Sequence, residues 1–408
     1  MPKVALLFLA RGAMPLEPAW REFLEAAALT EPVSLQRYTA MLPVDASNEM
    51  VPTELVDAGR GAAATAAVAA GEGAPGSVVD RQRLFSVYIH PPPGYSYSPG
   101  SVFAGLEVPN RVTVMWAQYS VVEAERRLLQ AALLDPLNQR FVLLSEACLP
   151  IYPPHLLWAQ LMAEDKARVN ACATPTPEDA ERRYVKRWER GMHTERMSKT
   201  HWRKSAQWFA LARPLAQVIA ADDHVAPVFE RECFTYAPDG KVPAPPHLQA
   251  LLDAGFRMQK RACVADEHYV PTLLAVHGLD NQTDCLGVMT HADWAWPSWS
   301  PKTYQTFEVT LPLIARLRAK KWYTPEPDAA CDPGPSLASA DAVFRRPGDA
   351  RNLAVRRPSK RAGTHREFVP LGPACSLFAR KFDGKSIDAV LWAAMDCEEG
   401  FAWHRICM

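Results

Sequence analysis

The chain has 408 residues, enough for one large domain with appendages or for two domains. Its 45 Lys and Arg offset 45 Asp and Glu, so no global field draws it to nucleic acid or an anionic membrane surface, and any polyanion site has to be local. With 48% hydrophobic and 22% charged residues the composition is globular, and the apolar run Val4 to Ala10 is far too short to span a bilayer.

Val4–Leu9 reads as a first core strand rather than a signal peptide, because it lacks a long apolar stretch and a small-residue cleavage site. A helix is predicted over Pro18–Ala28. Gly59–Ser77, rich in Ala and Gly with almost no charge, reads as a low-complexity surface insertion. Phe85–His90 is a second strand, stopped by Pro91-Pro92-Pro93-Gly94, which removes backbone donors. Its end then points into a loop at the carboxyl edge, where ligands of open α/β sheets sit. Val112–Met115 is a third strand. A helix over Ser120–Leu134 follows, with Ser120 and Glu123 as a capping box and Val122, Leu128, Leu129 and Ala132 on one face. Phe141–Ser145 and Cys285–Met289 are further strands, and His155–Ala163, Phe209–Ala221 and Thr310–Lys320 further helices. Another helix begins within Asp266–Pro271; Pro271 cannot donate a helical hydrogen bond, so it is expected in the first turn. From Pro325 to Pro373 the chain is rich in Pro, Ala, Ser and Arg without periodicity, as an irregular arm would be. The alternation of strands and helices predicts an α/β sheet.

Nine cysteines contain no CxxC pair and include no zinc-ribbon spacing, and Asn281-Gln282-Thr283 is a glycosylation sequon that matters only in the secretory pathway. Asp-x-Asp, HExxH, Gly-x-Ser-x-Gly, a Walker loop and GxGxxG are all missing, which counts against a dedicated metal site and against common hydrolases, P-loop enzymes and dinucleotide oxidoreductases. Within 341–381 ten Lys and Arg face three acids, a local charge of +7 hidden by the neutral total. That patch suits phosphate groups, though a solvated basic linker has the same composition. Lys381 stands apart because Leu377-Phe378-Ala379-Arg380-Lys381-Phe382 gives it a rigid apolar frame. Arg182 to Lys204 interleaves cations with Tyr184, Trp188, Trp202 and Trp208, as a surface for RNA or a sugar chain would, or as a loop whose aromatics pack and whose charges are solvated. In Cys263-Val264-Ala265-Asp266-Glu267-His268-Tyr269, Asp266 is expected to cap the helix and Glu267 to project. A carboxylate there is kept ionised by exposed N–H groups, which suits a general base; an ordinary capped helix has the same pattern.

The ordered blocks Lys3–Gly12, Phe85–His90, Glu123–Leu129, Arg140–Pro150, Trp202-Arg203-Lys204-Ser205-Ala206-Gln207-Trp208, Asp266-Glu267-His268-Tyr269 and Leu377–Phe382 resemble the plant and algal branch of the core-2/I-branching β-1,6-N-acetylglucosaminyltransferases, glycosyltransferase family 14. The resemblance implies an α/β fold of the GT-A glycosyltransferase type. Residues 1–324 would form its catalytic domain, 325–373 a basic arm, and 374–408 a segment completing the donor site. It also implies metal-independent, inverting transfer from a UDP-sugar to a glycan or glycoprotein hydroxyl with no cofactor, GlcNAc being the expected sugar and UDP-glucuronic acid or UDP-xylose the alternatives. Glu267 matches the family's catalytic glutamate, and Lys381 its phosphate-contacting lysine, with Arg361 or Arg366 as candidate arginine partners. Arg380, His90, Arg11, Ser145 and Glu146 fall on the donor side, and Trp202, Arg203, Lys204, Trp208 and Asp266 on the acceptor side, with Trp294, Trp296 and Trp299 as further stacking surfaces. At about the place of His90 the better-known animal members carry an acidic residue. The family's usual setting is the Golgi lumen, as type II membrane proteins, whereas this sequence starts at the first strand without an anchor. A glycan-binding protein that kept the fold and lost turnover, and an RNA-binding protein, are the readings from other classes, the second weakened by the zero net charge.

Overall fold

A computed structural model describes residues 1–29, 83–172, 185–237, 246–257, 260–284, 289–294, 300–319, 344–345, 367–368, 375–396, 400–401 and 403. The chain is a mixed α/β protein that divides into two compact units. Unit one comprises Met1–Met14, Pro52–Glu146 and Asp165–Met289; unit two comprises Pro15–Val51, Ala147–Glu164 and Thr290–Met408.

In unit one the strands are β1 (Lys3–Leu9), β2 (Phe85–His90), β3 (Asn138–Ser145), β4 (Ala210–Ala212), β5 (Thr235–Tyr236) and β6 (Arg261–Ala262). Its helices are α1 (Tyr119–Leu133), α2 (Arg213–Ala221), α3 (Ala226–Glu232), α4 (Pro246–Asp253) and α5 (Ala265–Val276). The main sheet runs β2-β1-β3-β4, with the first three strands parallel and β4 antiparallel. A strand covered on both faces needs apolar residues at every position, and Val4 to Phe8 are all fully buried. Val122, Leu128, Leu129 and Ala132 of α1 join Ala5, Leu7, Phe141 and Leu143 of the sheet in one core with Tyr269, Leu273 and Leu274 of α5. Leu9 lies opposite both His90 and Ser145, so the three parallel strands end level and form one rim.

Four local expectations are corrected. Val112–Met115 is not a strand: the free edge of β2 is taken by 106–108, where Val108 N–H donates to the Ile89 carbonyl at 2.9 Å, and 112–115 stays at the surface. Ser120 and Glu123 form no capping box; Gln118 is the cap residue, Ser120 Oγ accepts from Met115 N–H, and Glu123 pairs with Arg127. The predicted helix over Phe209–Ala221 opens as β4, because Ala210–Ala212 complete the sheet beside β3, and turns helical only at Arg213-Pro214. Pro271 sits in the second turn of α5 rather than the first, and Val264, in the left-handed region at φ 60°, takes the cap position expected of Asp266.

Unit two holds a three-stranded sheet in which Phe378–Arg380 runs parallel to Thr290–Ala292 and antiparallel to Leu149–Pro150. Residues 285–288 of the strand predicted at Cys285–Met289 lie outside the described residues, and the observed strand is Thr290–Ala292. Helices Glu17–Ala28, Pro154–Ala163 and Leu311–Ala319 match their predicted spans within a residue. Trp20 anchors this core, stacking on Phe378 and donating Nε1–H to the Cys148 carbonyl at 3.1 Å. The 59–77 insertion lies outside the described residues, as does the 325–373 arm apart from the pair Phe344–Arg345 with Glu367–Phe368. Among the described residues no helix is long and apolar enough to cross a membrane.

Candidate active site

Glu267 is the third residue of α5. Its backbone is fixed from outside the helix: with no N–H on Pro271, the Glu267 carbonyl has no helical partner and accepts from Ser205 N–H at 2.9 Å instead. This ties residues 202–208 to α5. The same splice includes Arg203 N–H to Thr272 Oγ1 at 3.1 Å and His268 Nδ1 to the Arg203 carbonyl at 2.6 Å. On the entry side the Cys233–Cys263 disulfide joins the end of α3 to the start of α5, and Thr235 Oγ1 accepts from Val264 N–H.

The Glu267 side chain reaches solvent, and its Oε2 is held by two cations: Arg187 Nη1 at 2.8 Å and Lys204 Nζ at 3.5 Å. Arg187 is held in turn by His268, whose Nε2 lies 3.4 Å from Nη1. Burial pushes the His268 pKa well below its usual 6.5, so the ring is neutral; with Nδ1 donating to Arg203, Nε2 is the acceptor. Trp202 stacks on that ring, centroids 4.2 Å apart and planes 13° off parallel. Asp266 turns inward, with Oδ1 buried and lacking a hydrogen-bond partner, and burial first and Glu267 second raise its pKa to about 7.

The structure brings Glu267 and Lys204 together beside Asp266, and Arg187 joins them. Sequence reasoning flagged the basic run that contains Arg187, but nothing local distinguishes it from its neighbours. Trp202, Trp208 and Arg203 are brought to the same segment but face the interior: both indoles belong to the core, and Arg203 donates to the carbonyls of Ala171 and Thr200.

The rim of the sheet carries a second set. Arg11 Nε donates to Glu146 Oε1 at 2.6 Å, just beyond the ends of β1 and β3, with Arg11 90% exposed and Glu146 nearly buried. Ser145 and His90 are buried at the strand ends. His90 is neutral, its pKa lowered by burial to about 4, and its Nε2 accepts from Val112 N–H. Above them Tyr97 donates its hydroxyl to the Gly12 carbonyl at 2.7 Å, and Gly12, at φ 136°, adopts a conformation few side chains allow.

In unit two, Lys381 follows the central strand end. Tyr304 N–H donates to its carbonyl at 2.7 Å, and its Nζ donates to Ser300 Oγ at 2.7 Å. Arg380 is the last residue of that strand, beside Ala292, and Trp294 nearby is half exposed. Trp296, Trp299, Arg361 and Arg366 lie outside the described residues.

The sequence profile described as Core-2/I-Branching enzyme matches residues 77–318, more than half of the chain. The chain belongs to the core-2/I-branching enzyme family. It is also similar to the curated Glycosyltransferase BC10 of Oryza sativa subsp. japonica, 31% identical over 258 residues, which is 59% of this chain and 59% of the relative. The matched stretch of this family member contains Glu267, Arg187, Lys204, His90 and Glu146.

Proposed function

We propose that this family member is an inverting glycosyltransferase of the GT-A type that moves a sugar from a UDP-sugar to a glycan hydroxyl, with Glu267 as general base. The observation carrying this is the state of Glu267. A solvent-reaching carboxylate at a helix start, with Oε2 held by Arg187 and Lys204, is a fixed group of the kind that takes a proton from a hydroxyl. The mixed α/β architecture with a level carboxyl rim is compatible with that fold, and the name of the rice relative agrees with the activity.

In this reading Glu267 takes the proton of the acceptor hydroxyl while its oxygen attacks the anomeric carbon. The bond to UDP breaks on the opposite face, and its electron pair leaves on the β-phosphate oxygen. Lys381 stabilises that charge in place of a divalent cation. GlcNAc and a β-1,6 linkage are the first donor and linkage to try, and UDP-glucuronic acid and UDP-xylose the next. The rim residues Arg11, Glu146, Ser145 and His90 serve the donor side, and Golgi-lumenal attachment is the proposed setting.

UDP release from a panel of UDP-sugars, with and without EDTA, tests it. EDTA-resistant release that falls roughly 100- to 10,000-fold in Glu267→Gln is expected. Release abolished by EDTA overturns the metal-free step, and no release with any donor and glycan acceptor gives weight to a glycan-binding role.

A further inference from the structure

The glycosylation sequon has no task in the transfer step. Asn281-Gln282-Thr283 is the only Asn-x-Ser/Thr triplet in the chain, and it follows directly on the C-terminal end of α5. Gly278, at φ 67°, closes that helix: its N–H donates to the Ala275 carbonyl at 3.1 Å, and Leu279 N–H reaches back to the Leu274 carbonyl at 2.8 Å. Asp280–Gln282 then makes one turn of 3-10 helix. That turn is fastened to another segment of unit one, since Ala167 N–H donates to the Gln282 carbonyl and Asp284 N–H to the Ala167 carbonyl, each at 2.9 Å. Thr283 sits between these two bonds, 1% exposed, and donates its hydroxyl to the Asp280 carbonyl at 2.7 Å.

Asn281 is the opposite case. It is exposed, and its amide makes no hydrogen bond among the described residues, so a group attached at that nitrogen displaces no contact. The place also keeps clear of the chemistry: about 14 Å of helix separates Glu267 from Val276 at 1.5 Å per residue, and Asn281 lies past the Val276 end. The cysteines supply an independent observation. Cys233 and Cys263 form a disulfide, Cys172 and Cys375 are also disulfide-bonded, and the buried Cys148 is the free one among the described residues. Disulfides persist in the lumen of the secretory pathway, where sequons are modified, and are rare in the cytosol.

We propose that Asn281 carries an N-linked glycan, received from a lipid-linked diphospho-oligosaccharide. The side-chain nitrogen of Asn281 forms a bond to the anomeric carbon and gives up one proton. The bond from that carbon to the phosphate oxygen breaks, and its electron pair leaves with the lipid diphosphate. The sequon requires the Thr283 hydroxyl, which is buried in the folded turn, so the transfer precedes docking of 280–284 on Ala167. The proposal rests on the lumenal setting given above and on no step of the transfer reaction.

The full chain, secreted from a eukaryotic cell behind a cleavable leader, is treated with peptide N-glycosidase, an amidase that releases the glycan and leaves an aspartate at the attachment point. The wild-type band is expected to move to lower apparent mass, and peptide mass spectrometry to find position 281 converted to aspartate. Asn281→Gln is expected to run at the lower mass before treatment, with UDP release unchanged, and Thr283→Ser, which keeps the sequon and a hydroxyl, to remain modified. A secreted chain that the glycosidase does not shift, or an Asn281→Gln variant shifted like wild type, overturns the site. Modification behind the leader but none in the chain isolated from its own cells overturns the lumenal setting and the proposal with it. UDP release measured on the same samples tells a failure of the transferase reading apart from a failure of the site.

Discussion

The rim and the α5 turn of unit one make a useful contrast. The rim is built by strand register, which places His90, Leu9 and Ser145 side by side and leaves Arg11 and Glu146 just beyond. The turn is built by contacts between residues far apart in sequence: Arg187 to Glu267, Ser205 to Glu267, Gln207 to Glu125 and Cys233 to Cys263. The rim is therefore sturdy by default and its polar groups are appended, whereas the turn depends on each of its braces. A carboxylate whose position depends on many partners can be held more tightly than one at the end of a strand, and more substitutions can disturb it.

If that contrast holds, damage to the turn's braces should be expensive and damage to the rim cheap. Trp202→Ala removes the ring stacked on His268 and Phe229, and a loss of about 3–5 kcal/mol in chemical denaturation is expected, as for other buried aromatics. Arg187→Met keeps much of the side-chain volume and removes the guanidinium, so UDP release should fall by roughly 10-fold or more while the melting temperature moves little. Asp266→Asn tests the electrostatics. The folded-state pKa of Asp266 is raised from 3.8 to about 7, so its contribution to stability is fully present below pH 4 and is lost as pH rises toward 7. Asn has no such dependence; its melting temperature should gain on wild type at pH 8 and not at pH 4. The smallest effect is expected at the rim. Arg11→Gln breaks an ion pair whose cation is almost fully exposed, and its stability cost should stay within about 1 kcal/mol. A large loss there would remove the contrast.

The parallel core was legible because a strand covered on both faces must be apolar throughout, and Val4–Leu9, Phe85–His90 and Phe141–Ser145 carry that signature. Val112–Met115 has the same local composition and is no strand, since the edge it needed is occupied by 106–108. That is decided by tertiary competition rather than by its own residues. Glu267 could be singled out from its place in a motif at a helix start, and Lys204 from its basic segment. The interior orientation of Trp202 and Trp208 was not legible, because an aromatic among cations serves a ligand or a core equally well until the partner rings are known. Arg187 was hidden for the same reason: the run from Arg182 to Lys204 offers many cations, and only the fold selects one. Pro271 was read correctly as a residue lacking a donor, but the missing bond lies one turn later than expected and is replaced by Ser205.

That replacement has a consequence for how the molecule breathes. An amide that bonds outward to a helix carbonyl can exchange its hydrogen only when the helix and the visiting segment part company. The Ser205 amide should therefore exchange in step with the inner amides of α5, and residues 202–208 and the helix should open as one cooperative unit rather than as a loop beside a stable helix.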